Sequence, residues 1–506
     1  MPSTLMTPGV YIEEKNAFPG SAVAVATAVP VFIGYTETAD RNGKSLLYKP
    51  TRITSFAEYK ELFGDAFNPK FTVAPPAAGD ETFVLNGTAF AVTAKADNTA
   101  YFYNSMRLFF ANGGSTCYVL AVGTYQGKDS VKVDAKDYLQ SPANETVFEI
   151  LKKEYEPTLI VMPDAIVLGP DCYTKLYVAA LMHCAESQSR FAIFDLRKQT
   201  IADTTDAVVA EFRTAIGTTS LNYGAAYYPW LNSAIIDKSD VDYTNFDGSV
   251  DDLIKLLPAK VKDGDEGSKI ADIQKQLTAG GVVNAGSETT FHQSMMAVSP
   301  SYVSVLEEIR SHMNLLPPSA AMAGIYTLVD NGRGVWKAPA NVSVSMVNSP
   351  SLNISHDAQQ NLNVDVIGGK SINVIRPFPG LGTLVWGART LDGNSQDWRY
   401  INVRRTLIMI EQSLKLATRA YVFEPNDSST WVTVSSMMDN FLVNLWKQGA
   451  LAGAVPEQAF SVQVGLGSTM TPNDILDGIM RITVKLAIVR PAEFIVITFQ
   501  QQQQQS

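Results

Sequence analysis

Apolar and polar positions change their rhythm from one stretch of the chain to the next, and each rhythm predicts its own kind of element. At the start, Pro8-Gly9 marks a turn, Val10-Tyr11-Ile12-Glu13-Glu14 alternates as a short strand, and Pro19-Gly20 breaks it, so residues 1–24 read as an arm. The apolar run Val29 to Tyr35 predicts a strand. Thr54-Ser55 ahead of Phe56, Tyr59, Leu62 and Phe63 predicts a capped helix stopped by Gly64. Residues 65–98 are polar and rich in Pro, Ala and Thr, which predicts a surface loop or a small hairpin. Ala100 to Phe110 predicts a helix ended by Asn112-Gly113-Gly114. Cys117 to Val122 is apolar almost without a break, as befits a strand covered on both faces. From there to about residue 235 the patterns alternate, with strands at Leu159 to Met162, Phe191 to Asp195 and Ala225 to Tyr228, and helices at Cys172 to Ser187 and Thr204 to Thr214. Such alternation predicts an α/β layer with a largely parallel sheet.

Residues 236–290 break this rhythm. They are rich in Asp, Lys, Gly and Ser and read as a solvated insertion with one helix near Ile270 to Leu277. The last third is more regular. Val403, Leu407, Ile410, Leu414, Ala417 and Tyr421 repeat at intervals of three and four and form one helix face, while Arg404, Arg405, Glu411, Lys415 and Arg419 fall off it. A second helix is predicted from about Ser429 to Gln448, capped by Gly449, and Thr471-Pro472 starts another. The chain then runs into two strand patterns. Ile482, Val484, Leu486 and Ile488 alternate with Arg481, Thr483 and Lys485, and after Arg490-Pro491 comes Phe494 to Phe499, apolar on both faces, followed by Gln500 to Gln505.

Chain ends are usually polar and frayed. A strand apolar on both faces must be covered on both, or it becomes an aggregation hazard. Two readings stand for Phe494 to Phe499 and for the arm at Val10 to Glu14: an ordinary strand of its own domain, or a strand donated to the sheet of a neighbouring copy.

Composition narrows the function classes. A chain of 506 residues exceeds one usual core, so two or more domains are expected, and 46% hydrophobic with 18% charged residues fits an ordered protein. The net charge of -10 disfavours a nucleic-acid partner, which requires clustered Lys and Arg. The run beginning Met1-Pro2-Ser3 has no basic region typical of a secretory signal, and the apolar stretch Ala22 to Ile33 is too short to cross a bilayer and contains Pro30. Synthesis in the cytoplasm without membrane insertion is therefore expected, and work outside the cell would require release by lysis or as part of a particle. The three cysteines, Cys117, Cys172 and Cys184, are odd in number and lack Cys-x-x-Cys spacing, so they read as small buried hydrophobes.

Catalytic and ligand chemistry finds little support. Gly369-Lys370-Ser371 resembles the end of a phosphate loop, but the glycine required upstream is Val364, and Gly380-Leu381-Gly382 fails as a dinucleotide fingerprint at Val385. None of His183, His292, His312 and His356 lies in a recognisable motif, and Gly217-Thr218-Thr219-Ser220 is not a nucleophile elbow. No His-Glu-x-x-His or paired Cys-x-x-Cys supplies a metal site. No catalytic residue, cofactor or metal is expected, and the chain reads as a non-enzyme.

Several long segments resemble the phage tail sheath family, especially the sheaths of extracellular contractile injection systems. They are Pro8-Gly9-Val10-Tyr11-Ile12-Glu13-Glu14, Arg107 to Gly114 with Cys117-Tyr118-Val119, Gly334 to Asn341, Trp398 to Arg405, Phe423-Glu424-Pro425-Asn426, Gly449 to Gly453, and Arg490-Pro491-Ala492-Glu493-Phe494. The resemblance implies an α/β multidomain protein. A subtilisin-like α/β domain without protease function would occupy 25–385, with a variable insertion at 236–290. An α+β C-terminal sheath domain facing an inner tube would begin at 386 and run to 480, and extended strand arms would lie at 1–24 and 481–506. The implied function is that of a structural subunit of a contractile sheath, polymerised as stacked hexameric rings around an inner tube protein, with baseplate and terminal cap proteins at its ends. Whether paralogous sheath subunits share the particle is left open. Contraction would drive the tube through a target envelope from a phage-tail-like particle, extracellular after release. On this reading Val10, Tyr11, Ile12, Glu13, Ile482, Val484, Leu486, Ile488, Phe494, Val496, Ile497 and Phe499 link subunits through shared strands. Arg404, Arg405, Lys415 and Arg419 become candidates for contact with an acidic tube, with ordinary solvation as the alternative. The rival functions are a non-contractile tube or other structural tail protein, a nucleotide-binding protein and a subtilisin-like hydrolase.

Overall fold

The computed structural model describes residues 22–248, 250–258, 264–279 and 287–498. The chain divides into two compact units, Ala26–Arg405 with Arg490–Ser506, and Met1–Val25 with Thr406–Val489. The division falls inside the helix Ile401–Thr418, after Arg405. Residues 386–400 stay with the larger unit because their backbone is bonded into it: Leu391 N donates to Gly224 O (2.8 Å), and Arg389 N donates to Asn373 Oδ1 (2.8 Å).

The larger unit is built on an eight-stranded sheet. Its order is Gly382–Val385, Ile372–Phe378, Gly224–Tyr228, Phe191–Asp195, Leu159–Val161, Pro30–Thr36, Cys117–Thr124 and Thr51–Ile53. The six inner strands pair in parallel, and each edge strand pairs antiparallel. Parallel strands need cover on both faces. Accordingly Pro30–Thr36, Leu159–Val161, Phe191–Asp195 and Gly224–Tyr228 are buried along their whole length. Among the described residues, the parallel α/β layer expected from the alternating patterns is present.

Two buried carboxylates tie helices to the ends of these strands. Asp164 accepts from the backbone N–H of Tyr35 (2.9 Å), Tyr101 (2.7 Å) and Phe102 (3.0 Å), the last two at the start of the helix Phe102–Ala111. Gly34 permits this approach, since a Cβ there would lie 2.4 Å from the Phe102 ring and 2.7 Å from Asp164 Oδ2. Asp195 accepts from Ser319 N (2.7 Å) and Ser319 Oγ (2.5 Å) at the first residue of the helix Ser319–Arg333. Burial pushes the Asp164 carboxyl up to about 6 and the Asp195 carboxyl up to about 7.

Two stretches are more ordered than their composition suggests. Residues 65–98 contain a three-stranded antiparallel sheet, Phe71–Ala74, Thr88–Ala94 and Phe83–Leu85. The stretch 236–290 is not merely solvated. It contributes helices Val250–Leu256 and Glu266–Ala279 and the start of Ser287–Val298, and Ile236, Val241, Phe246, Leu253, Leu257 and Ile270 are buried in the main hydrophobic core. Sparse apolar positions suffice for this because helical spacing collects them on one side.

In the smaller unit the helix Ser428–Lys447 is capped by Asp427, whose Oδ1 accepts from the amides of Ser429 and Thr430 (3.0 Å each). It buries Val434, Met437, Met438, Phe441, Leu442 and Leu445. Gly449 follows with φ +85°, in the left-handed region that favours glycine. From Thr406 onward, Ile408, Met409, Ile410 and Leu414 are buried, a wider stripe than the sequence spacing predicts. A two-stranded antiparallel sheet, Phe460–Val464 with Ile482–Leu486, completes this unit.

Candidate assembly interface

The two-stranded sheet runs in register from Phe460 opposite Leu486 to Val464 opposite Ile482. Ile482, Val484 and Leu486 turn to its half-covered face, while Thr483 and Lys485 are exposed. Among the described residues no further strand pairs with either outer edge. A two-stranded sheet is marginal on its own, and its unpaired edges are templates for additional strands. The strand stops at Leu486, but the following residues remain attached within the same unit. Ala487 N donates to Ala459 O (2.8 Å), Ala452 N to Ala487 O (2.7 Å) and Val489 N to Ala450 O (3.2 Å), and Ile488 bridges to Leu451.

The chain then returns to the larger unit. Glu493 accepts a forked pair of hydrogen bonds from Arg389, Nη2 to Oε2 at 2.7 Å and Nε to Oε1 at 2.9 Å. Asn363 Nδ2 donates to Oε1 (2.7 Å) and Tyr400 Oη to Oε2 (3.0 Å). Burial alone would raise the Glu493 carboxyl, but Arg389, Asn363 and Tyr400 outweigh it and hold the group below the usual carboxylate range. Beyond this point Phe494, Ile495, Val496 and Ile497 are 70%, 80%, 88% and 70% exposed, with no strand assigned to them. The most apolar stretch near the C-terminus therefore has no sheet partner among the described residues. Val10, Tyr11, Ile12 and Glu13 of the N-terminal arm, and Phe499, lie outside the described residues.

The structure separates the four basic residues read as one surface. Arg404 and Arg405, candidates for tube contact, are buried in the larger unit. Arg405 grips Asp330 through Nη2 to Oδ2 (2.6 Å) and Nη1 to Oδ1 (3.0 Å), and its guanidinium lies 4.5 Å from the Tyr326 ring centre. Arg404 donates to the Tyr223 hydroxyl and stacks on the rings of Tyr223 (4.0 Å) and Trp398 (4.9 Å). Lys415 and Arg419 are exposed on the smaller unit. The helix period placed all four off the apolar stripe, but burial of a paired arginine depends on partners such as Asp330 that the local pattern does not reveal.

The residues resembling a phosphate loop serve packing. Lys370 is buried and its ammonium donates to the backbone carbonyl of Arg213, while Asp365 accepts from the amides of Ile367 (3.2 Å), Gly368 (3.1 Å) and Lys370 (3.1 Å). His183 is buried against Arg190, with Nε2 at 2.7 Å from Arg190 Nη1, and burial with the neighbouring guanidinium pushes its imidazole down to about 4. Burial pushes the adjacent Cys184 thiol up to about 12. Among the described residues no group of three or more His, Cys, Asp or Glu is arranged to hold a metal ion, and no helix is long and apolar enough to cross a membrane.

Among the described residues, the chain is a mixed α/β multidomain protein whose exposed apolar segment 494–497 pairs with no strand. Residues 394–502 match the phage tail sheath C-terminal domain. The tail sheath protein of Burkholderia phage BcepMu is 24% identical over 222 residues, covering 40% of this chain and 46% of that protein. The tail sheath protein of Vibrio phage KVP40 is 22% identical over 162 residues, covering 32% and 23%. The match thus spans less than half the length of these curated relatives. Among solved structures, the PVC sheath complex of an extracellular contractile injection system in its contracted state is 28% identical with a TM-score of 0.61, covering 99% of both chains. The contracted helical sheath of the anti-feeding prophage is 29% identical with a TM-score of 0.59, covering 98% of this chain and all of that one. These matches bear out the resemblance to the phage tail sheath family.

Proposed function

We propose that this chain is the subunit of a contractile tail sheath, which polymerises around an inner tube and shortens to drive that tube through a target envelope. The observation that carries the reading is the exposed apolar segment Phe494 to Ile497, placed just after a two-stranded sheet with open edges. Such a segment gains partners by adding as a strand to the sheet of another copy, where main-chain hydrogen bonds hold register with little dependence on sequence. Links of that kind tolerate large rigid-body rotations between subunits, as contraction requires. The Val10 to Glu13 arm and Ile482 to Ile488 belong to the same proposed linkage, and Lys415 and Arg419 remain the proposed contacts to an acidic tube. The larger unit is read as subtilisin-like without protease function and the chain as a non-enzyme. Relatives seen as parts of extracellular injection particles, including a baseplate complex, support partners of the same kind here: an inner tube, a baseplate and a terminal cap.

Electron microscopy of purified particles before and after brief acid or urea treatment tests this reading. Cylinders that become shorter and wider are expected. Cylinders of unchanged length and diameter that only dissociate would transfer the chain to the non-contractile tubes.

A further inference from the structure

On the proposed function, a pull carried by the exposed segment 494–497 enters this subunit at the base of that segment, which is residue 493. We propose that Glu493 is the anchor of the linking arm, a positioning residue whose carboxylate sits in a socket built into the eight-stranded sheet, so that tension from a neighbouring copy is taken up there and not by the two-stranded sheet that precedes it in the chain. This inference rests on the sheath reading.

The socket is rooted in the sheet. Arg389 is 4% exposed, and its backbone is locked to Asn373, with Arg389 N donating to Asn373 Oδ1 (2.8 Å) and Asn373 Nδ2 to Arg389 O (2.8 Å). Asn373 lies in the strand Ile372–Phe378, and its Nδ2 also donates to Ala226 O (3.2 Å) in the adjacent strand Gly224–Tyr228. Gly387 allows this closeness, since a Cβ there would stand 2.7 Å from Asn373 Oδ1. Asn363, which donates to Glu493 Oε1, is held by Ser371 Oγ donating to its carbonyl (2.6 Å). Polar bonds therefore run without a break from Glu493 through Arg389 and Asn373 to two neighbouring strands of the sheet.

The alternative route is weaker. Without the anchor, a pull on residue 494 would reach Val489, Ile488 and then Leu486, the end of the strand Ile482–Leu486. A strand pulled from its end peels away one bonded pair at a time. A forked arginine–carboxylate pair that is largely desolvated resists as a unit.

The test uses the full chain with Glu493→Gln, Glu493→Ala and Tyr400→Phe. In unassembled subunits, amide hydrogen exchange at residues 487–494 is expected to rise about 30-fold in the Gln and Ala variants and less in Tyr400→Phe, following loss of a buried charge pair or of one bond to it. Cylinders of the Gln and Ala variants are expected to fall apart at lower urea than the wild type, with the melting temperature of the free Tyr400→Phe subunit unchanged. Equal exchange and equal urea resistance in all variants would overturn the anchor. Should the Ala variant misfold around an unpaired Arg389, Tyr400→Phe still decides the matter, because it removes only the hydroxyl bond to Glu493. A wild-type chain that forms no cylinders would refute the sheath reading, while the exchange comparison would still report on the anchor.

Discussion

Replacing Phe494 by Ala gives the assembly hypothesis a number. In the free subunit the residue is 70% exposed, so most of its apolar surface is available for burial in a neighbour. Fully burying a phenylalanine side chain contributes about 3 kcal/mol, and the exposed share corresponds to about 2 kcal/mol at each junction. That value is equivalent to an increase of about 30-fold in the concentration needed for polymerisation. Val496 is 88% exposed but smaller, and Val496→Ala should cost about 1 kcal/mol, or roughly a fivefold increase. The full-length purified chain would be titrated and the polymer separated by sedimentation, with Ile201→Ala, also exposed, as the control. The expected order is Phe494→Ala well above Val496→Ala, with the control unchanged. A critical concentration for Phe494→Ala within twofold of the wild type would refute the reasoning, because the arm would then bury nothing on assembly.

Two further predictions concern the larger unit. Asp330→Ala leaves the buried guanidinium of Arg405 without its carboxylate and should destabilise that unit by about 3–5 kcal/mol in urea unfolding, whereas Asp330→Leu combined with Arg405→Met should recover most of the loss. A single variant with wild-type stability would show that the pair is not desolvated. The second concerns pH. The Asp195 carboxyl is raised by burial to about 7, above its unfolded value of about 4. The stabilisation tied to its protonated form is therefore fully present below about pH 4 and is lost as pH rises through about 7. Asp164, raised by burial to about 6, contributes in the same direction over a narrower window. Melting temperature should fall between about pH 4 and pH 7, and Asp195→Asn should flatten that slope; an unaltered slope would exclude Asp195 as its source.

The parts of the fold that were legible in sequence are those where one physical requirement dominates. Buried parallel strands need continuous apolar runs, and Val29 to Tyr35, Cys117 to Val122 and Phe191 to Asp195 all become strands of the large sheet. The cap at Ser55 was equally readable, since its hydroxyl accepts from Glu58 N as its position before apolar periodicity suggests. Short strands such as Leu231–Ser233 and Val347–Pro350 left no trace, because three or four residues are too few to show a period. Within 236–290 the helix near Ile270 to Leu277 was legible and falls inside Glu266–Ala279, whereas Val250–Leu256 was hidden by its charged positions. The strand pattern at Ile482 to Ile488 was visible, but its partner Phe460–Val464 lies far enough upstream that pairing depends on the fold. Glu493 was noticed only as part of a familiar string, since nothing local announces that Arg389, more than a hundred positions earlier, completes it.

The Asp330 clamp has a consequence for how the larger unit comes apart. Thr27 Oγ1 donates to Asp330 Oδ2 (2.5 Å), and Arg405 donates both to Asp330 and to the Thr27 carbonyl (3.0 Å). The two ends of the segment 26–405 are thereby fastened to one another, as in a circularised chain. Fraying of the segment 26–405 inward from Thr27 or from Arg405 therefore first requires this clasp to break.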